Sequence, residues 1–108
     1  MKKLSVAMAL STSLLAGRAL SDTPSEIWKA KCKACHGEDG RAQTKTGQKE
    51  KIPDFSSAHW QAKHPDEEIR HTIAEGSDEN DKMKPFKEKL SGEEIDSLVK
   101  YIRSFKKK

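Results

Sequence analysis

Two cysteines with two residues between them, followed at once by a histidine, constrain this chain more than any other stretch of it: Cys32-Lys33-Ala34-Cys35-His36. A disulfide between cysteines so close together would enclose almost no chain and stabilise little. The run instead has the spacing at which two thiols bond to one edge of a porphyrin while the next imidazole turns under the ring towards iron. Two other chemistries share part of the pattern. A thioredoxin-like redox pair expects a surrounding strand–helix–strand arrangement, and no segment here alternates convincingly. A zinc site needs a further ligand pair. Among His59, His64 and His71 only His59 and His64 have a formal ligand spacing, and no matching cysteine pair faces them. One covalently bound haem c is therefore the expected cofactor, with Cys32 and Cys35 as its thioether residues and His36 as an axial iron ligand.

The first twenty residues explain why the chain looks basic. Met1-Lys2-Lys3 is a short positive head, and Leu4 to Ala16 is a thirteen-residue run without charge. That run is too short to span a bilayer and has the length of a signal-peptide core. Small residues at Ala19 and Ser21 place cleavage before Asp22, so residues 1–21 are predicted to be an export signal and 22–108 the working domain. Of 21 basic and 17 acidic residues, the signal takes three basic ones and no acid, which leaves the domain a formal +1. A nucleic-acid-binding surface would need a real positive surplus, so no nucleic-acid partner is expected. No stable membrane anchor is expected after cleavage, and a periplasmic location fits the export signal. The remaining 87 residues hold few large apolar side chains, and a domain of that size gains from a cofactor that supplements its core.

Three helices can be read with a start signal for each. Thr23-Pro24-Ser25-Glu26 offers an N-cap, a proline at the first helical position and a glutamate that completes a capping box. Pro65-Asp66-Glu67-Glu68 puts acids at a helix N-terminus, with Ile69 and Ile73 on one face and Gly76 as the stop. Ser91 with Glu94 is a second capping box, Leu90 and Ile95 suit a hydrophobic staple, and Ile95, Leu98, Val99, Ile102 and Phe105 form the apolar stripe. Between them lie two polar stretches, Gly37 to Pro53 and Ser77 to Met83, expected to be long loops.

With these pieces in place the chain resembles the small bacterial class I cytochromes c. The resemblance rests on Trp28, the Cys32 to Gly37 run, Pro53-Asp54-Phe55, Met83-Lys84-Pro85-Phe86, and the last helix with Leu98, Val99, Tyr101 and Ile102. It implies an all-α cytochrome c fold, three to four helices and long loops wrapped around the haem, and electron transfer as function. It also implies His and Met as axial ligands. Met83 is the only methionine left once Met1 and Met8 depart with the signal, and a thioether opposite histidine raises a haem's potential. The resemblance further gives Pro53 either a carbonyl that accepts a hydrogen bond from His36 or the plainer part of a proline that stiffens its loop. Trp60 is expected either to bond a haem propionate or to cover the haem's lower edge. Trp28 and Tyr101 are expected to meet where the first and last helices cross. The family's usual glycine at that crossing is Pro24 here, and the usual Met-Pro order is Met83-Lys84-Pro85.

Iron held on both faces has no open position, so the chain is expected to be a carrier of single electrons between redox proteins and not an enzyme. The alternative is a haem-based sensor or ligand-binding module with a labile Met83. Lys29, Lys31, Lys33, Lys82, Lys84, Lys87 and Lys89 flank the two ligand segments and suggest a lysine-rich face for acidic partners. The other histidines have no evident partner and read as surface residues.

Overall fold

The computed structural model describes residues 22–107. The expected export signal, residues 1–21, lies outside the described residues, as does Lys108. The described part is helical, with no strand among the described residues. In chain order the elements are α1 (Pro24–Ile27), a π-helical turn (Trp28–Cys32), α2 (Lys33–His36), α3 (Lys45–Lys49), α4 (Ala58–Lys63), α5 (Asp66–Glu75) and α6 (Gly92–Arg103). The all-α expectation holds, but the helices are more numerous than those read from sequence.

The first three elements form one continuous helical run, and its start follows the local code. The Thr23 hydroxyl accepts from the Glu26 amide at 3.2 Å, and the Glu26 carboxylate accepts from the Thr23 amide at 3.0 Å. The same reciprocal box opens α6 between Ser91 and Glu94. Each box satisfies two amides that have no partner inside the helix. Glu94 also accepts from the amide of Asp22 at 3.2 Å, which ties the start of the domain to the last helix.

The core lies where the N-terminal run and α5 both pack against α6. Ile27, Trp28, Phe55, Ile69, Ile73, Leu90, Ile95, Leu98, Val99 and Ile102 are buried together. As expected, Trp28 and Tyr101 meet, with ring centroids 5.6 Å apart, and Phe105 closes on the same indole at 5.0 Å. Pro24 at the crossing does not prevent the contact.

Helix α3 sits inside the Gly37 to Pro53 stretch that reads as loop, and α4 in a stretch given no element from sequence. Helix α3 is capped by Thr44, whose hydroxyl accepts from the Gly47 amide at 2.8 Å. The Thr44 hydroxyl also donates to the carbonyl of Cys35 at 2.7 Å. Gly47 is the residue that lets α3 lie so close: a Cβ there would stand 2.3 Å from the Ala42 carbonyl oxygen. Helix α4 starts from Ser57 and presents Gln61 to the interior, where its amide donates to the carbonyls of Phe55 and Ile102. Arg103 completes that joint with bonds to the Gln61 and His64 carbonyls, to Gln61 Oε1 and to Asp66. The end of α6 is thus fastened to α4 by polar groups that find partners, which burial demands of them.

Candidate functional site

A deep cleft of about 430 Å³ opens beside this core. One wall comes from the N-terminal run and the residues after it: Trp28, Cys32, Cys35, His36, Phe55 and Trp60. The other comes from α5 and the segment beyond it: Ile69, Ile73, Ser77, Asn80, Met83 and Phe86. The four residues singled out as haem-attaching or iron-ligating, Cys32, Cys35, His36 and Met83, therefore line one space.

The cysteines are both half-buried and are not joined by a disulfide. Burial raises the Cys32 thiol to about 11, with Lys31 opposing the shift. A neutral thiol so placed is unlike the electropositive site that makes a thiolate redox pair, which disfavours the thioredoxin-like chemistry. His36 is built into the aromatic layer behind the wall. Its ring stacks on Phe55 at 4.9 Å and lies 5.7 Å from Trp28. Burial lowers the imidazole to about 4, so the ring is neutral at physiological pH and keeps a lone pair for a metal. Trp28 holds the end of the motif in place, since its indole N–H donates to the Gly37 carbonyl at 2.8 Å.

The bond from His36 to the Pro53 carbonyl, expected from sequence, is not made. Nδ1 of His36 is buried and has no hydrogen-bond partner. Pro53 stays exposed at the rim of the cleft, and Phe55, two residues on, takes the place beside the imidazole. Trp60 does cover the edge of the cleft. Its ring packs on Phe55 at 4.4 Å and on His64 at 4.7 Å.

His64 corrects a second expectation. It is half-buried, lines the cleft and bonds through Nδ1 to Glu68 at 2.5 Å. The i,i+4 spacing of His64 and Glu68 is visible in the sequence and is the available signal. His59 and His71 are exposed, as expected.

Met83 is half-buried against the core cluster. It follows a tight polar segment in which the Met83 carbonyl accepts from the Ser77 amide at 3.1 Å and the Met83 amide donates to the Asn80 carbonyl at 3.2 Å. Beyond it, the amides of Phe86 and Lys87 bond to the carbonyls of Ile73 and Ala74, which anchors the far end of the segment on α5. Gly76 begins the segment with φ 88 and ψ 170, a conformation open essentially to glycine alone.

The residues fit a tethered haem. Two thiols and a neutral imidazole stand in the sequence order needed on one wall, a thioether stands on the other, and the space between them is mainly apolar. Among the described residues no group of three or more His, Cys, Asp and Glu is gathered as a metal site.

Residues 19–102 match a family model described as cytochrome c oxidase, cbb3-type, subunit III. No curated protein matches the chain. It is similar to a solved structure described as KustC0563 c-type cytochrome, at 43% identity and TM-score 0.72, over 80% of this chain and 100% of that one. A solved point mutant of that protein is 42% identical with a TM-score of 0.69, over 79% of this chain and 100% of the other.

Proposed function

Because the chain belongs to the cytochrome c family that the cbb3-type subunit III model describes, and so is a haem-based electron carrier, we propose that it is a monohaem carrier moving single electrons between redox proteins. The observation that carries this reading is the convergence of Cys32, Cys35, His36 and Met83 on one largely apolar cleft. Haem c, when bound, supplies an iron that gains and loses one electron without other bond changes. The chain's residues do the rest. Cys32 and Cys35 would tether the porphyrin, neutral His36 and Met83 would offer its iron an imidazole and a thioether, and Phe55, Ile69, Ile73 and Phe86 line the cleft that would hold it. Iron held by both His36 and Met83 would have no open site for a substrate, so the protein is read as a carrier and not an enzyme.

The partner is read as an acidic protein surface. Lys31, Lys82 and Lys84 line the cleft, and all seven lysines around the ligand segments are exposed. Some of that charge is already answered: Lys33, Lys82 and Lys87 pair with Glu38, Glu50 and Glu75. Lys29, Lys31, Lys84 and Lys89 carry the remaining attraction. Residues 1–21 are read as an export signal and 22–108 as the cytochrome domain, in the periplasm. Among the described residues no helix is long and apolar enough to cross a membrane.

Mass spectrometry and an optical spectrum of the purified protein test the proposal together. The expected result is the mass of residues 22–108 plus one haem. The oxidised protein should show a six-coordinate low-spin spectrum with the weak long-wavelength Met–Fe(III) band, and the reduced spectrum should be unmoved by carbon monoxide. The band should vanish in Met83→Ala while helix content stays. A five-coordinate spectrum that shifts with carbon monoxide, or a band that survives Met83→Ala, would overturn it.

A further inference from the structure

The Met83 side of the cleft is connected to the cysteine side by one polar crossing. Glu50, just past the end of α3, keeps its carboxylate largely out of water, with the side chain only 18% exposed. Its Oε1 accepts from Asn80 Nδ2 at 3.0 Å, across thirty residues of sequence. Its Oε2 stands 3.7 Å from Lys82 Nζ. Both Glu50 and Asn80 line the cleft.

Each end of this crossing is built into one of the two walls. On one side, the Glu50 amide donates to the Thr46 carbonyl at 2.8 Å, as the last turn of α3. Helix α3 itself is seated on the attachment motif, by the Thr44 bond to the Cys35 carbonyl and by the close approach at Gly47. On the other side, Asn80 organises the segment that carries Met83. Its amide donates to Ser77 Oγ at 3.2 Å, its Oδ1 accepts from the Lys82 amide at 2.9 Å, and its carbonyl accepts from the Met83 amide. A displacement of Asn80 is therefore a displacement of Met83.

We propose that Glu50 and Asn80 form a latch across the cleft, and that Glu50 is a positioning residue that holds the Met83 segment closed over the haem. The latch rests on the reading of Met83 as an iron ligand. Its strength comes from the hydrogen bond and not from the ion pair with Lys82. A partly buried bond to a carboxylate is worth more than a long pair whose lysine is exposed. Met83 has to leave the iron before an outside ligand can enter, so the latch opposes that exchange.

The test is a titration of the ferric holoprotein with imidazole, read by loss of the Met–Fe(III) band. Glu50→Ala and Asn80→Ala are each expected to bind imidazole about five- to tenfold more tightly than the parent, the effect of losing about one such hydrogen bond. Glu50→Gln keeps an acceptor for Asn80 and is expected to stay within about twofold of the parent. The double variant is expected to match Asn80→Ala, which already lacks the shared bond and also loses the one from the Lys82 amide. Should Glu50→Ala fail to mature, Asn80→Ala and Glu50→Gln carry the same comparison. Additive effects in the double variant, or Glu50→Gln behaving as Asn80→Ala, overturn the latch. The two readings fail differently. A parent protein without the band removes Met83 as ligand and the latch with it, whereas a parent band with unchanged imidazole affinity in the variants removes the latch alone.

Discussion

The two walls of the cleft are made by different means. The cysteine wall is continuous with the core: Trp28 is 2% exposed, touches His36, Phe55, Tyr101 and Phe105, and bonds to Gly37. The Met83 wall has a buried floor in Ile69 and Ile73, but the segment over it is held by a turn of short polar bonds. Asp78, Glu79, Asp81, Lys82 and Lys84 along that segment are exposed. Local stability follows such differences, and segments with few buried contacts open first. One wall is therefore expected to fix the site and the other to release it without unfolding of the domain.

That contrast can be broken most severely at Trp28. Trp28→Ala removes the shared contact of four aromatic rings and is expected to cost about 3–5 kcal/mol. In urea unfolding both the helix signal and the haem spectrum should fall together and at much lower denaturant. A helix signal left near its original midpoint would show that the cysteine wall is not part of the core.

A smaller change should separate the walls. At Gly76 an alanine would face a glycine-only backbone conformation, worth about 1–3 kcal/mol, and its Cβ would stand 2.9 Å from the Met83 carbonyl oxygen. Gly76→Ala is expected to lose the Met–Fe(III) band at lower urea than the helix signal. Coincident loss of the two signals would mean that the Met83 segment opens only with the whole domain.

The smallest effect belongs to the helix starts. Bonding to the Ser91 amide holds Glu94 below its ordinary 4.5, and bonding to the Thr23 amide does the same for Glu26. The folded state therefore binds these protons less readily than the unfolded chain. Their contribution to stability is present above about pH 4.5 and is lost as pH falls through the folded values. Carboxyl NMR titrations should give midpoints below 4.5 for both; a midpoint at or above it would mean that the box is open in solution.

The same contrast explains what can be read from the sequence. Helices α1, α5 and α6 announce themselves, because caps and apolar spacing act within a few residues. So do the cysteines and His36, whose chemistry needs adjacency along the chain. Helix α3 stays hidden because Lys45–Lys49 has no apolar face, and what holds it is an approach to the Ala42 and Cys35 backbone that only the folded chain supplies. Helix α4 escapes a sequence reading although Ser57 stands at its N-cap. The resemblance gives Pro53 a bond that the structure does not make, and His64 reads as surface although Trp60 and Glu68, its two partners, each stand four residues away. The pairing of Glu50 with Asn80 joins positions thirty apart, which no local pattern encodes.

The π-helical turn from Trp28 to Cys32 sets the aim of everything after it. The Lys33 amide bonds back to Trp28, five residues away, so the turn holds one residue more than an α turn. In a regular helix, residues four apart sit above one another, and Cys32 would lie straight over the indole. The wider coil makes Cys32 fall short of that line, and Cys35 and His36 inherit the offset. Any hybrid that grafts this helix onto a relative must therefore transplant the slack residue too, or the anchor points rotate away from the groove they serve.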